Sequence, residues 1–169
     1  TFAPFFGEYK NYTENFNGKL VIVPTNIDTF EPDLDELSKV INSKTKAIII
    51  NNPNNPTGVI YSKEAIQKLA DLLKEKQREL NSSIYLISDE PYREIVYDDV
   101  EVPCLLKYYD NTFIGYSYSK SLSLPGERIG YVVVNPSMTD CDEMMAALNI
   151  ANRILGFVNA PSLFQRVIA

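Results

Sequence analysis

The chain has 169 residues, 45% of them hydrophobic and 22% charged, which suits one domain with a proper core. Its formal net charge of −6 argues against nucleic acid or an anionic membrane as a partner. There is no histidine and only two cysteines, Cys104 and Cys141, so a disulfide framework, a metal site and His-dependent nucleophilic catalysis fall away.

The elements follow in chain order. Residues 19–24 (KLVIVP) read as a short apolar strand. Residues 33–41 read as a helix behind a Pro32-Asp33 start, with Leu34, Leu37, Val40 and Ile41 on one face. Residues 46–51 (KAIIIN) form a second strand, and Ser62 opens a stronger helix with Ile66, Leu69, Ala70, Leu73 and Leu80 at helical spacing. Residues 84–88 (IYLIS), 112–116 (TFIGY) and 129–134 (IGYVVV) complete five strands, with helices expected between the first four. Only a dozen turn-rich residues precede the last strand, too few for a helical crossover, so it is expected to run antiparallel. A long helix is expected from Met138 to about Ile154, burying Met144, Met145, Leu148 and Ala151. Strands apolar on both faces, alternating with helices, predict an α/β fold with a mostly parallel sheet and helices on both faces. No apolar run approaches a membrane span and no signal peptide is visible, and two reduced thiols suit a cytoplasmic protein.

In open α/β sheets ligands sit at the carboxyl ends of strands, which directs attention to three loops. The first, 51–58 (NNPNNPTG), has two Asn-Pro steps that rule out helix. It reads either as a rigid turn or as a frame holding the Asn55 carboxamide ready to donate to a ligand oxygen. The second is Asp89-Glu90-Pro91-Tyr92. Glu90 is explained by a surface loop, whereas Asp89 lies where its strand delivers it into the crevice, a costly place for an unpaired acid. The third runs Ser117-Tyr118-Ser119-Lys120 and on to Arg128 between Gly126 and Gly130. Lysine past a buried strand, with serines before it and arginine eight residues on, offers an amine beside donors suited to a phosphate.

Taken together and in this order, Asn55-Pro56-Thr57-Gly58, Asp89 to Tyr92, and Ser117, Lys120 and Arg128 resemble the class I/II aminotransferases of fold type I. The resemblance runs from about residue 4 to the end of the chain. It implies a pyridoxal 5′-phosphate cofactor joined to Lys120 as a Schiff base, with Lys120 later moving protons. It also implies that Asp89 pairs with the pyridine nitrogen and that Asn55 and Tyr92 bond the 3′-oxygen. Ser117 and Arg128 would hold the phosphate. Phe6 matches the aromatic that stacks on the cofactor ring, with Phe5 as its alternative or both as core residues. The implied reaction, in amino-acid metabolism, transfers an amino group between an amino acid and a 2-oxo acid. A β-lyase, an amino-acid decarboxylase and a non-catalytic module are the competing readings.

Family members are more than twice this long. Residues 1–169 are therefore expected to be part of one incomplete cofactor-binding large domain, without the upstream strands, the phosphate loop and the C-terminal small domain. Alone, the chain is expected to be inactive and to self-associate, whereas the whole enzyme is expected to be a homodimer.

Overall fold

The computed structural model describes residues 1–169. Its centre is a four-stranded sheet in the order β1-β2-β3-β4, formed by β1 (Ala47–Asn51), β2 (Tyr85–Asp89), β3 (Thr112–Ser117) and β4 (Gly130–Val134). The first three strands pair in parallel and β4 runs antiparallel to β3, as the short connection predicts. Along the chain the helices are α1 (Glu8–Glu14), α2 (Leu34–Val40), α3 (Lys63–Leu80), α4 (Tyr118–Ser121), α5 (Cys141–Ile154) and α6 (Ser162–Val167).

Side chains alternate across each strand, so the register decides what shares a face. Ile48 and Ile50 of β1, with Ile84 and Leu86 around β2, face α3, whose Ile66, Leu69, Ala70 and Leu73 are buried against them. Leu37 and Ile41 from the α2 region close this core with Tyr61, Leu105 and Tyr109. Each such leucine or isoleucine contributes about 1.5–3 kcal/mol when fully buried. Helix α3 starts where the sequence places it, because the Ser62 hydroxyl accepts the Ala65 amide at 3.1 Å. It ends at Asn81 in the left-handed conformation, φ 47°. Asp33 caps α2 in the same manner, accepting the Glu36 amide at 3.0 Å.

The opposite face is set by another row of register partners: Asn51 lies beside Asp89, and Asp89 beside Gly115. These three residues form the carboxyl-terminal row of that face, and Ser117, two residues beyond Gly115, continues it.

Three expectations need correction. Residues 19–24 form no strand. Only Val23 finds a ladder partner, a parallel bridge to Phe2. No strand lies between this segment and the free edge of β1, and a cavity of about 670 Å³ separates them, lined by Thr1, Val21 and Ile48 among others. Between β2 and β3 there is no α-helix, only a 3-10 turn at Leu105–Lys107 that drops Leu105 into the core. Helix α5 begins at Cys141, and the side expected to be buried is not: Met144 and Leu148 are half-buried, Met145 and Ala151 exposed. It packs lightly beside β4, and most of its residues stay exposed.

The hinge between β3 and β4 depends on glycine. A Cβ at Gly130 would sit 2.2 Å from the Tyr116 carbonyl oxygen, so no larger residue fits the close approach of the two strands.

Candidate active site

Asp89 ends β2, and its carboxylate accepts a hydrogen bond from the Tyr9 hydroxyl of α1 at 2.5 Å. Tyr9 is buried, and burial, followed by the neighbouring Asp89 charge, pushes its phenol well above the ordinary range. Burial also raises Asp89, opposed only by the Tyr9 hydrogen bond. Asp89 makes no ion pair. The site thus contains a desolvated acid stabilised by one hydroxyl and by no cation of its own chain.

The loop after β1 is tied directly to this acid's backbone. The Asn51 side-chain nitrogen Nδ2 donates to the Asp89 backbone carbonyl at 2.8 Å, while its Oδ1 accepts the Asn55 backbone amide at 2.6 Å. Asn54 accepts from the Thr57 amide and hydroxyl at 3.2 and 2.9 Å, and buried Asn52 accepts the Tyr61 amide at 2.9 Å. These bonds hold the loop as a rigid turn that carries Asn55. Asn55 and Tyr92 line a common cavity of about 660 Å³ with Val59, Val96 and Asp98.

Lys120 lies on α4, whose start is capped by Ser117: its hydroxyl accepts the Ser119 amide at 3.1 Å and donates to the Ser119 hydroxyl at 2.7 Å. The exposed Lys120 ammonium nitrogen stands 5.9 Å from the centre of the Tyr92 ring, within cation–π range. Phe6 packs edge-on against Tyr9 with centroids 5.7 Å apart, and Phe5 stacks on the same ring at 6.4 Å.

The structure thus ties the Asn55 backbone to the Asp89 backbone through Asn51, sets Asn55 and Tyr92 on one cavity that neither Asp89 nor Lys120 lines, and holds Lys120 over the Tyr92 ring. Phe6 lies beside the tyrosine that holds Asp89. Arg128 is not gathered in the same way. Its guanidinium is exposed and donates to the Pro125 carbonyl of its own loop at 2.7 Å, from a residue at φ 52°. Tyr12, whose phenol is raised chiefly by its hydrogen bond to Glu8, is also raised slightly by Asp89 and lowered slightly by Arg128.

Sequence reasoning missed Tyr9 and misplaced Glu90. Tyr9 had a signal, because it lies three residues after Phe6 and so on the same side of a helical turn. Glu90, expected on a surface loop, is 1% exposed. It accepts from Ser88 at 2.8 Å and from Arg93 at 2.7 Å, while Arg93 also donates to the Val102 carbonyl at 2.9 Å. An acid whose partner lies only three residues ahead is indistinguishable in sequence from a solvated one.

The family model for aminotransferases of class I and II matches residues 1–169. The chain belongs to that family. A curated relative, the probable aspartate/prephenate aminotransferase of Aquifex aeolicus, is 36% identical over 135 residues, covering 77% of this chain and 33% of the relative. The aspartate aminotransferase of Pyrococcus horikoshii is 35% identical over 132 residues, 77% of this chain and 32% of the relative. The chain thus spans about a third of the length of these curated relatives. Among solved structures, an amino transferase from Eubacterium rectale superposes with a TM-score of 0.97 at 54% identity, covering 99% of this chain and 42% of that one. Aspartate aminotransferase of Thermus thermophilus, solved with maleate, gives 0.74 at 30% identity over 87% of this chain and 36% of that one. The sheet described above is therefore part of the α/β fold shared by the fold-type-I aminotransferases.

Proposed function

We propose that the whole protein is a pyridoxal 5′-phosphate-dependent aminotransferase that moves an amino group between an amino acid and a 2-oxo acid, with Lys120 as the amine that engages the cofactor. The observation that carries this reading is Asp89, a desolvated acid without a cation at the end of β2, beside a strand that leads directly into the helix bearing Lys120. Such an acid suits a cationic ring nitrogen, since a buried carboxylate is costly until it is paired. When bound, the cofactor supplies an aldehyde and a pyridine ring that accepts electrons.

The chain's own residues then have distinct tasks. Asp89 holds a proton on the ring nitrogen, and Tyr9 fixes the carboxylate for it. Lys120 presents its amine to the aldehyde and, once freed, carries a proton between neighbouring carbons. Asn55 and Tyr92 donate to the ring oxygen. Ser117 and Arg128 bind the phosphate, which requires Arg128 to exchange its bond to Pro125 for the stronger charge-assisted one. Phe6 covers the ring and excludes water from one side.

The relatives' names favour transamination over β-elimination or decarboxylation, and over a non-catalytic role. Those names span aspartate, prephenate, aromatic amino acids and histidinol phosphate, which sets the substrate as an amino acid or its analogue without choosing one. A homodimer in the cytoplasm completes the proposal; the two cysteines are free and no helix is long and apolar enough to cross a membrane.

The test is reductive trapping. The chain and its Lys120→Ala variant are mixed with pyridoxal phosphate, reduced with borohydride, digested and mapped by mass spectrometry. We expect Lys120 to carry the dominant adduct, above any exposed lysine such as Lys68. Adducts spread evenly over the lysines would overturn the assignment.

A further inference from the structure

The face of the sheet away from Asp89 carries a polar bridge that joins two parts of the site from behind. The turn at 91–94 carries Tyr92, and helix α4 carries Lys120. Neither is long enough to be rigid alone: the turn is four residues and α4 is four residues. Tyr116, at the end of β3, lies under both. Its hydroxyl donates to the Glu94 carboxylate at 2.6 Å and lies 2.6 Å from the Ser121 hydroxyl. Burial and the Glu94 carboxylate push this phenol up to about 12, so it keeps its proton near neutral pH. That one proton goes to Glu94, which makes Ser121 the donor to the tyrosine oxygen. The order is fixed: Ser121 to Tyr116 to Glu94, from the residue after Lys120 to the second residue after Tyr92.

The ring of Tyr116 is immobilised as well. It stacks on Tyr131 of β4, its direct cross-strand partner, with centroids 4.9 Å apart and planes inclined by 22°. Tyr118 meets it edge-on at 5.1 Å. A hydroxyl on a ring held from two sides is a fixed point to which two short segments are tied. Glu94 has no other partner among the hydrogen bonds or ion pairs of the chain, so its contact with Tyr116 is the tie available to it.

We propose that Tyr116 is a positioning residue, whose hydroxyl bridges Glu94 and Ser121 and thereby sets the spacing between Tyr92 and the Lys120 amine. The inference rests on the assignment of Lys120 as the cofactor-engaging lysine. Neither Tyr116 nor Glu94 bonds the Lys120 amine; they act through the segments they tie.

The experiment extends the trapping assay to variants of the same chain, reading the ratio of the pyridoxal phosphate adduct at Lys120 to that at exposed Lys68. Tyr116→Phe keeps the stacked ring and removes only the bridge. We expect it to lower the ratio at least fivefold while leaving the thermal unfolding midpoint within a few degrees of wild type. Glu94→Ala is expected to give the same loss, and the double variant no further loss, because both break one bridge. Glu94→Gln retains an acceptor oxygen and is expected to stay within twofold of wild type, a rescue that a merely electrostatic role would not produce. Ser121→Ala, which removes a half-buried hydroxyl on the other arm, serves if Tyr116→Phe does not fold, with the same expected loss. A Tyr116→Phe ratio within twofold of wild type overturns the bridge while leaving Lys120 in place. A wild-type ratio near one removes Lys120 from its role, and the bridge with it.

Discussion

Asp89 and Glu90 are adjacent acids at the end of one strand, and the two faces of the sheet treat them in opposite ways. Glu90 points to the side closed by the 102–103 segment, with Ser88 and Arg93 on its carboxylate and its own amide donating to Gly115 at 2.8 Å. Asp89 points to the other side, where a single tyrosine hydroxyl reaches it. Burial raises both acids; the Ser88 hydroxyl and then the Arg93 cation oppose the shift at Glu90, and only the Tyr9 hydroxyl opposes it at Asp89. The difference separates structural from functional burial. An acid that the fold pairs internally holds a turn in place, whereas one that the fold buries and leaves without a cation has charge-binding capacity left for a ligand.

The comparison breaks most sharply at Arg93. Arg93→Ala leaves Glu90 buried without its cation, and the loss of one partner from a buried pair costs about 3–5 kcal/mol. A fall of that size in urea-unfolding stability is expected, together with loosening of the turn that carries Tyr92. A change below 1 kcal/mol would mean that water reaches Glu90 and that the two faces are alike.

Tyr9→Phe probes the other face and is expected to cost less. It deletes one hydrogen bond to a charged acceptor, worth about 1.5–3 kcal/mol, and leaves the ring that packs against Phe5 and Phe6. Asp89 then loses the only group that opposes its raised pKa, so its carboxyl should titrate at still higher pH, as followed by carboxyl-carbon NMR. An unchanged titration would show that the Tyr9 contact is incidental.

The pattern of what the sequence made legible follows from the range of each interaction. The strands 46–51, 84–88, 112–116 and 129–134 were readable because β-branched and aromatic runs bounded by turns carry their own signal, and each appears within a residue or two. The Ser62 and Asp33 starts were readable because a cap bonds only three residues ahead. The 19–24 strand was not, since a strand exists only with a neighbour, and this one has a single bridge. The buried side of α5 failed for the same reason: helical spacing shows that a face is apolar, not that anything covers it. In the site, the order of the three loops pointed to Asn55, Asp89, Tyr92, Ser117, Lys120 and Arg128. The contacts that support them, from Tyr9, Arg93 and Tyr116, link residues through geometry that no local spacing encodes. Tyr9 and Asp89 are 80 positions apart, and Tyr116 and Glu94 are 22 apart.

The smallest expected effect, and the one with a reversed sign, belongs to Asp89→Asn. The asparagine oxygen still accepts the Tyr9 hydroxyl, so packing and hydrogen bonding are kept while the charge is removed. Because burial raises the folded-state pKa of Asp89, the native state binds more protons than the unfolded state between the unfolded value, about 3.9, and the raised one. Across that window the wild type loses stability as pH rises, and above it the penalty for holding a desolvated charge is constant. Asp89→Asn escapes the penalty. It is therefore expected to be slightly more stable than wild type near neutral pH, by less than either loss described above, with the difference vanishing below about pH 4. The measurement is a series of urea midpoints from pH 4 to pH 8. Arg93→Ala and Asp89→Asn then move stability in opposite directions from neighbouring positions, the outcome expected if one acid belongs to the fold and the other to the ligand. If Asp89→Asn lowers stability at every pH, Asp89 is already paired within the chain, and the argument that it waits for a cationic ring nitrogen fails.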